Sequence, residues 1–356
     1  MRARLTRTVG AAGGRSESKL MTGAVPATGN DVTTLTSDAG RCVPLWACGL
    51  IGLGAFLVGL LPWLATGMRL PLQNLWAASP GPDAMPVALL PFSQYYLTDL
   101  FALIVVGSVV AGIVARALRP RLARGGIAVL GGAVLLAQIV AIAQSAALVS
   151  AGLQQRSESA LYLGALVAVC VLSLLLGAGA LALIALAPRG GALIGLTIGA
   201  LAATSWLGGF LRPLLLTGPD WLIGIASALQ WVAPVLVGVS IAWAGVNTVG
   251  RVLAAVVSLV LLWIVPAGMT GVSAAAGSRV LAHDVRGMID YAVGVFQMAL
   301  FMPELALRPI LVAIVVAALG LLLRWAVTRS HRSTEPEPVP SSEPDHTPTP
   351  TGEPTI

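Results

Sequence analysis

Ionisable side chains are scarce in this chain, and three small sets of them could do chemistry. The first is Arg69, Asp83 and Asp99; the second is Arg212 and Asp220; the third is Arg279, His283, Arg286 and Asp290. The third set follows an i, i+4, i+7, i+11 spacing, with Val280, Leu281, Val285, Met288, Ile289, Val293 and Phe296 filling the opposite side. That periodicity predicts an amphipathic helix near 279–300. Turned toward a cavity, its arginines would hold an anionic headgroup or a phosphate. Turned to water, the same stripe is the hydrated face of a helix lying on the outer leaflet, and this is the favoured reading. His283 and Asp284 are adjacent, and adjacent helical residues do not face each other, so they do not form a base with its orienting carboxylate.

The first two sets are related by a weak internal repeat. Trp63-Leu64 is followed by Arg69, Pro71-Leu72 and Gly81-Pro82-Asp83; Trp206-Leu207 is followed by Arg212, Pro213-Leu214 and Gly218-Pro219-Asp220. Trp at a membrane interface and Gly-Pro at a turn are common, so the match has modest specificity. A genuine duplication would make Arg69, Arg212, Asp83 and Asp220 pseudo-symmetric, framing an outward-facing pocket in a parallel four-plus-four arrangement.

Other chemistries find no residues. Two of the three histidines, His331 and His346, lie in the C-terminal tail, so no metal site is expected. No phosphate-binding glycine loop occurs, and no cofactor is expected. Asp83 and Asp99 are the candidate bases for a transferase using a lipid-linked donor, but no paired acid accompanies them.

The elements that must position these residues are transmembrane. The 356 residues are 57% hydrophobic and 10% charged, with mean hydropathy +0.89. Soluble domains carry roughly 25% charged residues, so a soluble enzyme, a disordered chain and a nucleic-acid binder are all excluded. The composition predicts an all-α, polytopic integral membrane helix bundle of about eight transmembrane helices, with the lipid bilayer as its first partner. The apolar runs are 43–65, 97–118, 127–149, 160–187, 192–211, 222–249, 252–272 and 309–328, each near the length that crosses a hydrocarbon core. Pro234 and Pro266 are the expected kinks. A rival layout makes 287–302 a ninth span, at the cost of placing Asp290 in lipid.

Basic residues set the orientation. With an inside N-terminus, the inside segments hold fifteen Lys and Arg and the outside segments six, which predicts both termini in the cytoplasm. The near absence of lysine, with Lys19 alone against twenty arginines, is read as a high-GC bacterial bias, hence a bacterial cytoplasmic membrane. Residues 1–42 and 329–356 read as disordered cytoplasmic tails that offer docking sites for membrane or cytoplasmic proteins. Within the spans the polar residues Gln138, Gln144, Gln230 and Asn247 are uncharged, which leaves proton coupling without a relay; Gln138 and Gln144 read as interhelical glue. Gly195 and Gly199 have the spacing of a close helix crossing, within the bundle or in a homo-oligomer. Two functions lead. One is a permease-like or transport-complex subunit for a small or lipid-linked molecule; the other is a non-enzymatic scaffold in cell-envelope assembly or division.

Overall fold

The computed structural model describes residues 42–73, 75–78, 81, 84–215, 218–278 and 284–332. Residues 1–41 and 333–356 of the tails, Asp83, Arg279 and His283 therefore lie outside the described residues, whereas 329–332 continue the last helix.

Eight apolar helices long enough to cross a membrane make this an all-α, multi-pass membrane protein. In chain order the helices are α1 (Leu45–Ala65), α2 (Leu97–Leu118), α3 (Gly126–Gly152), α4 (Ser157–Leu186) and α5 (Arg189–Leu215). They continue as α6 (Trp221–Ala228), α7 (Val232–Ala244), α8 (Val249–Gly277), α9 (Val285–Phe301) and α10 (Pro303–Arg332). Short turns at 119–125, 187–188 and 245–248 lie on one face, called here the turn face; the long segment 66–96 lies on the opposite, loop face.

Local chemistry explains the boundaries. The 222–249 run is one crossing built from two helices, α6 and α7, joined by a 3-10 turn at Leu229–Trp231. Pro234 sits in the first turn of α7, where its ring would clash with the carbonyl four residues back, at Gln230. That crossing ends at Ala244 because Gly245 adopts φ +75°, and Asn247 consequently lies in a turn and not at depth. The last crossing runs past Thr328 to Arg332.

α9 is not a ninth crossing. Trp263 Nε1 donates to the Leu300 carbonyl at 2.9 Å, and Gly271 packs on Ala292 and Phe296, so α9 folds back along the half of α8 nearer the loop face. α10 then descends to the turn face, where Arg324 donates to the Ala242 and Trp243 carbonyls at 2.9 and 3.0 Å. The Asp284 carboxylate accepts from Gly287 N at 2.9 Å and caps α9, so the described helix begins at Val285. Arg286 and Asp290 share its exposed side.

The second set of crossings repeats the packing of the first. α1 packs on α2 and α3, and α2 on α4, with lesser contacts between α2 and α3 and between α3 and α4; α5 packs on α7 and α8, and α7 on α10, with lesser contacts between α7 and α8 and between α8 and α10. Glycines occupy matching places. Six residues before the end of α2, Gly112 meets Leu181 and Ile184 of α4; six before the end of α7, Gly238 meets Ala313 and Val316 of α10. This is the packing a four-plus-four duplication produces, with α9 inserted before the last crossing. α5 joins the sets, resting on α1, α2 and α4.

α2 is the central helix: 61% of its span is buried, against 11% of the α10 span, whose apolar side chains face outward as lipid contact requires. Its polar residues are satisfied internally. Gln138 of α3 donates to the Ile104 carbonyl at 2.7 Å and to Ser108 Oγ at 3.1 Å. Replacing Gln138 by leucine should lower stability by about 1 kcal/mol, the usual worth of an interhelical hydrogen bond in lipid. Reversible unfolding from mixed micelles reads this, and a loss above about 3 kcal/mol would mean that Gln138 does more than bridge α2 and α3. At the turn face, Arg116 donates to the Ile184 and Ala187 carbonyls at 2.6 and 2.9 Å and lies 5.3 Å over the Trp243 ring. It and Arg324 thus cap the C-terminal ends of α4 and α7, where the helix dipole favours a cation.

Candidate functional site

The described residues of the 66–96 segment form a packed cap. Met68 takes φ 57°, which turns the chain so that Arg69 pairs antiparallel with Val87. Side chains of α3 then hold the returning segment: Gln144 accepts from Leu89 N at 3.0 Å and donates to the Val87 carbonyl at 3.2 Å, while Ser145 Oγ accepts from Leu90 N at 2.9 Å. Gln73 donates to the Phe92 carbonyl at 2.9 Å and accepts from the Tyr162 hydroxyl of α4 at 2.6 Å. Phe92, Leu90, Leu70 and Met85 are buried beneath it.

Between this cap and the ends of α1, α2 and α5 lies a cavity of about 270 Å³. α1 contributes Pro62, Trp63 and Thr66; α2 contributes Asp99, Ala102 and Leu103; α5 contributes Ser205, Trp206, Gly209, Arg212 and Pro213; the cap adds Arg69, Pro71, Pro91 and Tyr96. The helices approach closely below the mouth, because a Cβ on Gly209 would stand 2.9 Å from Pro62 Cβ.

One ion pair crosses the site. Arg212 Nη1 binds Asp99 Oδ2, and the guanidinium carbon lies 4.6 Å over the Tyr96 ring. Asp99 is in the first turn of α2, where the helix N-terminus also favours its negative charge. The Arg212 side chain remains 43% exposed while that of Asp99 is 12% exposed, so the arginine is the partner open to the cavity. Both tryptophan N–H groups are committed elsewhere: Trp63 Nε1 donates to the Ala88 carbonyl and Trp206 Nε1 to the Gly59 carbonyl, each at 2.9 Å. Trp63 meets Tyr96 edge-on, with centroids 6.4 Å apart. The indoles therefore contribute apolar ring surface and no donors. Below them Phe56, Leu60, Leu103 and Gln138 surround a void with no room for a water, which closes the floor.

Of the residues singled out by sequence, Arg69, Asp99 and Arg212 line this cavity. Arg69 also donates to the Met85 carbonyl at 3.4 Å. Asp220 precedes α6, and Arg286 and Asp290 lie on α9; none of the three lines the cavity. By sequence Trp63 and Trp206 are only markers of the repeat, and Tyr96 is not singled out; aromatic rings close to charged residues at one membrane face were the available signal. The Trp-to-Arg match is not structural symmetry, since Arg69 follows the end of α1 whereas Arg212 sits within α5. Among the described residues, no three His, Cys, Asp or Glu side chains gather as metal ligands would. Asp99 is engaged by Arg212, and Thr66 donates to the Trp63 carbonyl at 2.8 Å.

No protein family, curated protein or solved structure matches the chain.

Proposed function

We propose that the protein is a permease-like subunit, acting alone or as the membrane part of a transport complex, that admits a small or lipid-linked molecule through the loop-face cavity. The observation that carries this reading is the placement of the cavity where α5 of the second set of crossings meets α1 and α2 of the first. Transporters built from repeats hold their substrates between the repeats and move one against the other. We further propose a bacterial cytoplasmic membrane with the turn face in the cytoplasm, supported by Arg116, Arg119, Arg121, Arg124, Arg189 and Arg251 at or beside the turns on that face.

The closed floor favours a second reading, a non-transporting scaffold of the cell envelope with a ligand-sensing cavity. Of the two candidate bases of the transferase reading, Asp99 is paired with Arg212, and Asp83 lies outside the described residues.

Substituted-cysteine labelling separates them. In a background lacking the buried Cys48 and Cys170, the exposed Cys42 marks the turn face and Ser205→Cys marks the cavity. A membrane-impermeant thiol reagent should reach Cys42 only from the cytoplasmic side. If the protein alternates access, the reagent should reach Ser205→Cys from both sides. Labelling of Ser205→Cys solely from the loop face under every condition would sink the permease reading and leave the scaffold.

A further inference from the structure

The chemistry of the cavity wall narrows what it can hold. Arg212 spends Nη1 on Asp99 and its ring-facing side on Tyr96, while Nε and Nη2 make no hydrogen bond among the described residues. Those two donors form the edge of the guanidinium fork that matches two oxygens of a phosphate or carboxylate. Asp99 offsets one of the two arginine charges on the wall, Arg212 and Arg69, so the lining carries one net positive charge. The site is thereby matched to a single negative charge and set against a doubly charged phosphate monoester.

Apart from Arg69, Thr66, Ser205 and Tyr96, the rest of the wall is apolar. Trp63 and Trp206 present ring surface only, with Pro62, Pro71, Pro91, Ala102 and Leu103 around them. About 270 Å³ holds a small headgroup but not a whole lipid. Next to the lining in sequence, the surface is one that faces acyl chains: Leu61 and Leu64 on α1 and Leu214 and Leu215 at the end of α5 are all exposed, Leu214 by 50%. An exposed apolar rim beside a polar-tipped cavity fits a ligand that is itself polar at one end and apolar at the other.

We infer that the cavity receives the monoanionic phosphodiester headgroup of a membrane lipid, with two phosphate oxygens on Nε and Nη2 of Arg212 and the carbon chains leaving past Leu64 and Leu214. The assignment rests on the reading of this cavity as the substrate site and names its substrate class. Bidentate pairing holds the phosphate, and the tryptophan faces cover the first carbons of the ligand.

Native mass spectrometry of the full chain, exchanged into neutral detergent with added phosphatidylglycerol, tests this. The wild type should retain one more phosphatidylglycerol than the Asp99→Asn, Arg212→Gln double variant, which leaves no uncompensated charge. Diacylglycerol, which has the chains but no phosphodiester, should not be retained. Arg286→Gln, on α9 away from the cavity, should behave as wild type. Arg212→Lys keeps the charge but loses the fork and should weaken retention about tenfold, which serves if the double variant does not fold. Asp99→Asn alone should strengthen retention. Glycerophosphoglycerol, the same diester without chains, should not displace the lipid at equal concentration. Equal retention by wild type and the double variant, or by wild type and Arg212→Lys, overturns the assignment; full displacement by glycerophosphoglycerol overturns the lipid as its source. The transport reading fails separately. One-sided labelling of Ser205→Cys with intact lipid retention removes transport and keeps this site, and the converse removes the site.

Discussion

Arg212→Ala should destabilise the protein by about 2 kcal/mol, a loss that the double variant Asp99→Asn, Arg212→Gln should largely avoid. Asp99 is the reason. Its side chain is 12% exposed, and in the folded protein Arg212 is its charged partner. Removing one member of a buried pair costs about 3–5 kcal/mol, because the remaining charge has lost its compensation; replacing both can be nearly neutral. The larger figure is discounted here since Arg212 is 43% exposed and solvent screens part of the interaction. A smaller share comes from the stacking of the guanidinium on Tyr96. Reversible unfolding from mixed micelles of the wild type, Asp99→Asn, Arg212→Gln and the double variant, which close a cycle, measures the coupling directly, with Arg212→Ala read beside them. If the double variant proves as unstable as Arg212→Ala, the pair's role is packing and not charge.

How much of this was legible beforehand follows from what each residue needs. Lipid demands unbroken apolar helices, so the eight crossings stand out as runs of composition, and their order along the chain fixes which ends share a face. Where a crossing breaks, the cause is local and visible, as Pro234 breaks the sixth at Leu229–Trp231. Arg69, Asp99 and Arg212 were picked out because charge is rare there. The anchors of the cap were not legible as such: Gln144, read as interhelical glue, binds Val87 across 57 residues and Tyr162 binds Gln73 across 89, and an isolated glutamine or tyrosine carries no mark of such a partner. Periodicity alone runs the amphipathic helix back to 279; 279–283 lie outside the described residues, and α9 as described begins at Val285, behind the Asp284 cap on Gly287. The repeat was seen in the wrong currency. Its Trp-to-Arg spacing does not survive in the structure, whereas the partner pattern of the helices, which no residue spacing encodes, is what the two sets share.

Gly59→Val should cost about 3 kcal/mol and disturb the cavity as well. A Cβ at Gly59 would lie 2.6 Å from the Leu103 carbonyl oxygen and 2.9 Å from the backbone nitrogen and Cα of Gly107. Those are backbone atoms of α2 and cannot swing aside as a side chain would, so α1 itself must move. Overpacking of a well-packed core costs about 1–3 kcal/mol, and a branched side chain against backbone belongs at the upper end. The displacement has a second effect, because the Gly59 carbonyl is the acceptor for Trp206 Nε1. Pushing α1 away lengthens that bond and frees the indole that forms part of the cavity wall. Gly54 lies on the same helix with nothing within 4 Å of its Cβ position, on the exposed side. Gly54→Val should therefore leave stability within about 1 kcal/mol of wild type, since only a lipid-facing position and a modest change in helix propensity are involved. Unfolding from mixed micelles should separate the two variants, and Trp206 emission should shift in Gly59→Val alone. Equal stability of the two would show that the close crossing of α1 and α2 does not hold the bundle, and an unshifted emission would uncouple that crossing from the cavity.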